Sequence, residues 1–178
     1  ATVVSAINAA AKGDTICLTR GEVWTGLTST LTISNANGTA WTAGNFVTVE
    51  ASGSGANPRF EWTAEVTGLR FAEAAKFITW RNIDVMCSAT LGTGCRAHPG
   101  DGTGINFAFT DDIILDGGGV YQFSWGITSS NSGSSGTKIS QRLQIGTQSN
   151  LFFIRDCPVM GWFGVALMWQ VAQVGAAL

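Results

Sequence analysis

Charged residues are scarce in this sequence. Ten Lys and Arg and twelve Asp and Glu make up 12% of its 178 residues, about half the usual share, and the formal net charge is −2. No Lys/Arg cluster occurs, so the electrostatic footprint of a nucleic-acid binder is missing and no nucleic acid is expected as a partner. Long apolar runs are missing too. "LFFI" from Leu151 and "GVALMW" from Gly164 fall far short of the roughly 18 residues that span a bilayer, so no membrane span is expected.

Histidine is nearly absent. His98 stands alone in "CRAHPGDGTG", a weak signal for metal or catalysis that reads as a surface-loop residue. No C-x-x-C metal spacing or nucleophile-elbow sequence is present, and "GDGTG" lacks the Lys and the helix context of a phosphate loop. The chain carries neither an initiator Met nor a signal-peptide pattern, which suggests a processed or truncated piece of a longer protein.

What is abundant is glycine, at 23 residues, together with Ser, Thr and Asn, in a chain that is 45% hydrophobic. That mixture favours many short strands and turns over long surface helices. Of the four cysteines, Cys87 and Cys95 bracket the short loop "SATLGTG" and form the candidate disulfide, whereas Cys17 and Cys157 read as small packed thiols.

A repeat organises the strands. "FITWRNIDV" from Phe77, "DIILDGGGV" from Asp112 and "FFIRDCPV" from Phe152 each run apolar, spacer, apolar, charged, turn residue. Aligned, they place Trp80, Leu115 and Ile154 in one column, followed by Arg81/Asp116/Arg155, Asn82/Gly117/Asp156 and Val85/Val120/Val159, and "FVTVEAS" adds Val49 to the first. A second motif interleaves with it: "GLRF" at Gly68, "GINF" at Gly104, "GITS" at Gly126 and "GVAL" at Gly164. Two strand types in alternation mean a coil with at least two faces.

Period-two alternation sorts the side chains. Val47, Val49, Ile78, Trp80, Ile113, Leu115, Phe152 and Ile154 form the expected core stripe, and Thr48, Glu50, Thr79, Arg81, Ile114, Asp116, Phe153 and Arg155 the outward set. Turns are expected at Asn35–Gly38, Gly53–Gly55 and Gly117–Gly119, and two longer excursions at Met86–Thr103 and Ser129–Ser149. The opening "TVVSAINAAAKGD" differs in kind. Val3, Val4, Ile7 and Ala11 lie at helical spacing with Gly13 as the stop, which predicts a capping helix over the open end of a stacked sheet.

"INAAAKGDTICLTRGEVW", "VEASGSGANPRFEW", "FITWRNIDV" and "NLFFIRDCPV" resemble the right-handed parallel β-helix proteins, or pectate-lyase-like superfamily, over nearly the whole chain. The resemblance implies an all-β, right-handed parallel β-helix in a single domain, residues 1–178, with a helical cap at 1–13 and coils over 14–178. It also implies an extracellular, cell-surface or virion-surface setting and a polysaccharide partner, with cleavage of the lyase type ahead of the hydrolase type. The rival is a non-enzymatic surface, filament or tailspike-like component that forms a homo-oligomer or stacks end to end through an open sheet edge.

In such solenoids catalysis sits on an outward face, so the column Glu50, Arg81, Asp116 and Arg155 holds the candidates. It reads either as a ladder of ion pairs across strands about 4.8 Å apart or as a lyase site. In the second reading Arg81 or Arg155 removes the sugar proton and Asp116, with Asp84 or Asp156, holds a uronate through Ca²⁺. Asp116 and Asp156 are the metal candidates, and Glu50, Asp84, Asp156 and Trp125 the substrate-binding ones.

Hydrolysis would need two carboxylates, for which "TDDIILD" offers Asp111, Asp112 and Asp116, residues that equally cap turns. The consecutive-Asp, His-Gly and Arg-x-Lys set of the polygalacturonase branch is not present. Trp41, Trp62, Trp125, Trp162 and Trp169 do not all fit the inward columns, and each is either a stacking surface for sugars or corner packing.

Overall fold

A computed structural model describes residues 2–37, 45–72, 75–97, 102–108, 111–129, 143–145 and 150–157. His98, Trp41, Val159, Trp162, Gly164 and Trp169 lie outside the described residues, as do the side chains of Asp111 and Asp112.

The chain forms a parallel β-solenoid with one short N-terminal helix. Helix α1 (Val3–Ala9) begins at Thr2, whose hydroxyl accepts the Ser5 N–H at 3.2 Å. It ends earlier than the Gly13 stop signal predicts. Asn35 is buried and its amide donates to the Ile7 and Ala10 carbonyls at 2.6 and 2.9 Å, satisfying helix-end acceptors that otherwise have no partner. Gly13 keeps a positive φ of 80° but serves the turn into the first strand, and Ala10, not the exposed Ala11, packs inward.

The strands are β1 (Thr15–Thr19), β2 (Val23–Leu27), β3 (Leu31–Ile33), β4 (Val47–Ser52), β5 (Arg59–Trp62), β6 (Thr67–Phe71), β7 (Lys76–Cys87), β8 (Thr103–Phe107), β9 (Asp111–Tyr121), β10 (Trp125–Ser129), β11 (Leu143–Ile145) and β12 (Phe153–Arg155). All their pairings are parallel, and they sort onto three faces. Face one stacks β1, β4, the first halves of β7 and β9, and β11. Face two stacks β2, β5, the second halves of β7 and β9, and β12. Face three stacks β3, β6, β8 and β10.

Faces one and two stay hydrogen-bonded as a single bent sheet because β7 and β9 turn the corner without leaving it. The bend falls at Asn82 (φ 54°) and at Gly117 and Gly118 (φ 74° and 77°), so the triple glycine is a corner inside a strand, not a loop. Because Gly117 has no side chain, the Asn150 side-chain amide reaches across it to donate to Asn82 Oδ1 at 2.9 Å, and also donates to the Asp116 backbone carbonyl at 3.1 Å.

The predicted core stripe is inward as expected at Val47, Ile78 and Ile113 and at Val49, Trp80 and Leu115, each set aligned in register. One part of the repeat differs. Ile154 pairs with Val120, not Leu115, so "FFIRDCPV" stacks on face two beside the second half of β9. The two halves of β9 share the same apolar alternation, so the repeat pattern matches either half; β11, within the expected Ser129–Ser149 excursion, takes the place next to Leu115. Met86 and Cys87 likewise belong to β7 and not to a loop.

The second motif marks face three. Gly68, Gly104 and Gly126 fall in one column, and a Cβ at Gly104 would stand 2.2 Å from Val120 Cγ1 and 2.8 Å from the Gly126 carbonyl oxygen. The glycines let this face close down on Trp62, Val120 and Phe123. Trp62 is fully buried and its indole N–H reaches the Ser29 carbonyl at 2.9 Å. Cys87 and Cys95 are joined in a disulfide that ties the 3₁₀ turn Gly94–Arg96 to the end of β7.

The helix covers the end of the stack at β3. Asn8 donates to the Thr32 carbonyl at 3.2 Å and accepts the Ser34 N–H at 2.9 Å, so its amide closes part of the free edge. Toward β2 the cover is partial, leaving an apolar cleft between Val3, Val4, Trp24, Leu27 and Phe60.

Candidate functional site

The outward column on face one assembles as the alternation predicts, as far as its first three members. Glu50, Arg81 and Asp116 are aligned in register on β4, β7 and β9. Arg81 bridges its neighbours: Nε donates to Asp116 Oδ2 at 2.6 Å and Nη1 to Glu50 Oε2 at 3.0 Å. The hydrogen bond to Asp116, with that to Glu50 and the field of both carboxylates, holds the Arg81 guanidinium above its ordinary pKa, although partial burial opposes this. A guanidinium so held keeps its proton, and the geometry is that of a cross-strand ion ladder.

Arg155 is not part of that column. It pairs with Tyr121 on face two, and its guanidinium lies 4.6 Å from the centre of the Phe153 ring. Asp116 and Asp156 are not brought together either: Asp116 is 7% exposed and engaged by Arg81, whereas Asp156 follows β12 on the next face. The pair does not fit a shared Ca²⁺, and among the described residues no group of three or more His, Cys, Asp or Glu is placed to hold a metal. Trp125 sits on face three, half-buried, with its indole N–H enclosed and without a hydrogen-bond partner among the described residues. Cys17 is exposed on the outward side of β1, in register with Glu50, so it is not a packed thiol.

Asp84 and Asp156 face the same hollow. They line a depression of about 160 Å³ on the outward side of face two, together with Arg59, Met86, Tyr121 and Gln122. Its floor follows from the register, which sets Arg59 beside Asp84, Asp84 beside Gly119, and Met86 beside Tyr121. Gly119 makes the hollow. With no side chain there, the Tyr121 ring folds back across it, its hydroxyl 2.7 Å from where a Cβ would stand. Gln122 and Asp156 both adopt positive φ, 63° and 57°, turning the chain at the rim.

Burial raises the Asp84 carboxyl above its ordinary pKa, while the Asn57 amide at 3.2 Å, Arg59, the Gly119 N–H and Arg20 pull the other way. Tyr121 is also raised, by burial and by the Asp84 charge, with Arg155 opposing. Asp84, its carboxyl raised by burial, and Asp156 thus line one hollow with Tyr121 and Gln122, a set of groups suited to hydrogen bonding a polar ligand.

Arg59 and Tyr121 were missed by sequence reasoning. Arg59 lies in a turn-rich stretch without a repeat partner, and the only Tyr of the chain stands just past the triple glycine. The available signal was that glycine run, which leaves a gap on an outward face. Comparison with protein-family models, with curated proteins and with solved structures finds no match.

Proposed function

We propose that this solenoid is an extracellular or surface-displayed polysaccharide-binding protein of the pectate-lyase-like kind, and that it holds its glycan in the depression on face two. The observation that carries the reading is the convergence there of Asp84, Asp156, Tyr121, Gln122 and Arg59 on a rigid parallel sheet. Hydroxyl-rich rings need such a set of donors and acceptors beside an aromatic surface. The Cys87–Cys95 disulfide supports an oxidising compartment.

Cleavage, in this reading, is hydrolytic rather than eliminative. Asp84 and Asp156 are the two carboxylates that line one depression, one to protonate the leaving oxygen and the other to take a proton from the attacking water, whereas of the two candidate lyase bases Arg81 is held between Glu50 and Asp116 and Arg155 stands on the next face over the Phe153 ring.

Affinity electrophoresis against a panel of soluble polysaccharides tests the binding, with Tyr121→Ala as the variant that should lose retardation. Normal migration of the parent protein in every polysaccharide would reject the reading. Release of reducing ends by the parent and not by Asp84→Asn, without the ultraviolet absorbance of an unsaturated product, supports hydrolysis; that absorbance would support elimination, and binding without any release of product favours the non-enzymatic surface or filament component.

A further inference from the structure

We infer that the cleft between α1 and β2 is a binding site for a small, flat, uncharged and largely apolar ring system. The site is separate from the face-two hollow and independent of the glycan reading. Its volume is about 480 Å³, within the range of small-ligand pockets. Val3 and Val4 line it from the helix and Trp24, Leu27 and Phe60 from the first two rungs. Trp24 and Phe60 stack with their ring centres 4.5 Å apart and 15° between their planes. Phe60 thus covers one face of the indole, and because β2 is the last strand of its stack, the other face lies toward the open end. A ring entering the cleft can stack there.

The cleft is built into the fold. Trp24 and Leu27 are three residues apart and would point to opposite sides of a regular strand. The register shift between them, with Gly26 at a φ of 68°, brings both to the cleft. The helix cannot settle over the gap, because Asn8 ties it to Thr32 and Ser34, and Asn35 ties its last turn. Seven residues make a helix only about 10 Å long, which leaves the β2 side uncovered.

The lining decides the ligand. Among the described residues no charged side chain belongs to it, so an ion would lose water there without meeting a counter-charge. Its only polar side chains are Thr2, Thr30 and Thr32, hydroxyls suited to one polar group at the edge of a ring. The described large hydrophobics that stand exposed are Val23, Leu91 and Phe153, of which only Val23 belongs to the first rung. Apolar surface at this end is therefore confined to the concavity, which fits a small molecule and not the broad patch of a protein partner.

The test is fluorescence titration of the intact protein with N-phenylnaphthylamine, an uncharged ring probe, beside anilinonaphthalenesulfonate, the same skeleton carrying a charge. The neutral probe should brighten and saturate at one molecule per chain, and the sulfonate should bind about tenfold more weakly or worse. Thr30→Trp, which fills the cleft, and Leu27→Glu, which places a charge in it, should each weaken the neutral probe by about tenfold or more. Both positions are half-buried, so both variants should keep the cooperative urea unfolding of the parent. Saturating neutral probe should also raise the thermal midpoint of the parent, a readout that needs no variant.

No saturable binding of the neutral probe, equal or tighter binding of the sulfonate, or binding that both variants leave unchanged would overturn the inference. So would sedimentation showing that the parent is a dimer which Leu27→Glu separates, since the cleft would then belong to a second copy. The polysaccharide assays decide the glycan reading separately.

Discussion

Gly104→Ala isolates the packing that shapes face three. The backbone at Gly104 is not left-handed, so an added methyl is opposed by sterics alone. It would meet Val120 Cγ1 at 2.2 Å, the Gly126 carbonyl oxygen at 2.8 Å and Phe123 Cδ2 at 3.2 Å. Two of these neighbours are fully buried side chains and the third is backbone of the next strand, so none can swing into solvent.

Overpacking of this kind costs about 1–3 kcal/mol. The loss of unfolded-state freedom on going from Gly to Ala returns about 0.4–1 kcal/mol, so the net spans about 0–2.6 kcal/mol, and the depth of the overlap with Val120 puts it in the upper part, at about 1–2 kcal/mol. With a urea slope of about 2 kcal/mol/M, the midpoint should fall by roughly 0.5–1 M with no change in slope. Gly68→Ala meets its neighbours only at 3.0–3.3 Å and should lose less. Urea unfolding followed by tryptophan fluorescence and by circular dichroism measures both, and Val120→Ala completes a double-mutant cycle. Removing Cγ1 takes away the closest contact, so Gly104→Ala should cost less in the Val120→Ala background than in the parent. A neutral Gly104→Ala, or strict additivity with Val120→Ala, would refute this account of the glycine column.

The other outcomes concern the disulfide, the ion ladder and the Asp84 carboxyl. Replacing Cys87 and Cys95 by Ser should lower stability by about 2.5 kcal/mol for a loop of this length, read as a lower thermal midpoint. Alkylation without reduction should label Cys17 quickly and Cys157 slowly, since burial raises the Cys157 thiol pKa. Arg81→Met should destabilise by about 1–2 kcal/mol, between the values for exposed and buried pairs because the guanidinium is half-exposed, and should leave glycan affinity unchanged. Asp116→Asn should cost more than Glu50→Gln, because Asp116 is the more buried partner. Asp84 has a folded pKa above its unfolded value of 3.8, so between the two the folded state binds more protons. Its contribution to stability is therefore greatest below the unfolded pKa and falls as pH rises through the folded one. Asp84→Asn should remove that decline and be at least as stable as the parent at pH 7, as checked by urea unfolding across pH.

Local sequence determined the solenoid. Alternation of apolar and polar residues in "FVTVEAS", "FITWRNIDV" and "DIILDGGGV" sets Val49, Trp80 and Leu115 inward and Glu50, Arg81 and Asp116 outward, and period two needs no knowledge of the rest of the chain. The capping helix was legible for the same reason, although its end was not. Asn35, far along the chain, closes it where the local signal pointed to Gly13.

What only the tertiary structure decided was which rung stacks on which. A strand's alternation is the same on either half of β9, so "FFIRDCPV" could be aligned with Leu115 or with Val120, and only the packed coil selects Val120. That choice moves Arg155 off the ion ladder and brings Asp156 to Asp84, Tyr121 and Arg59. The candidate site depends on register between distant segments, and register is fixed by the packing of whole rungs rather than by any one strand.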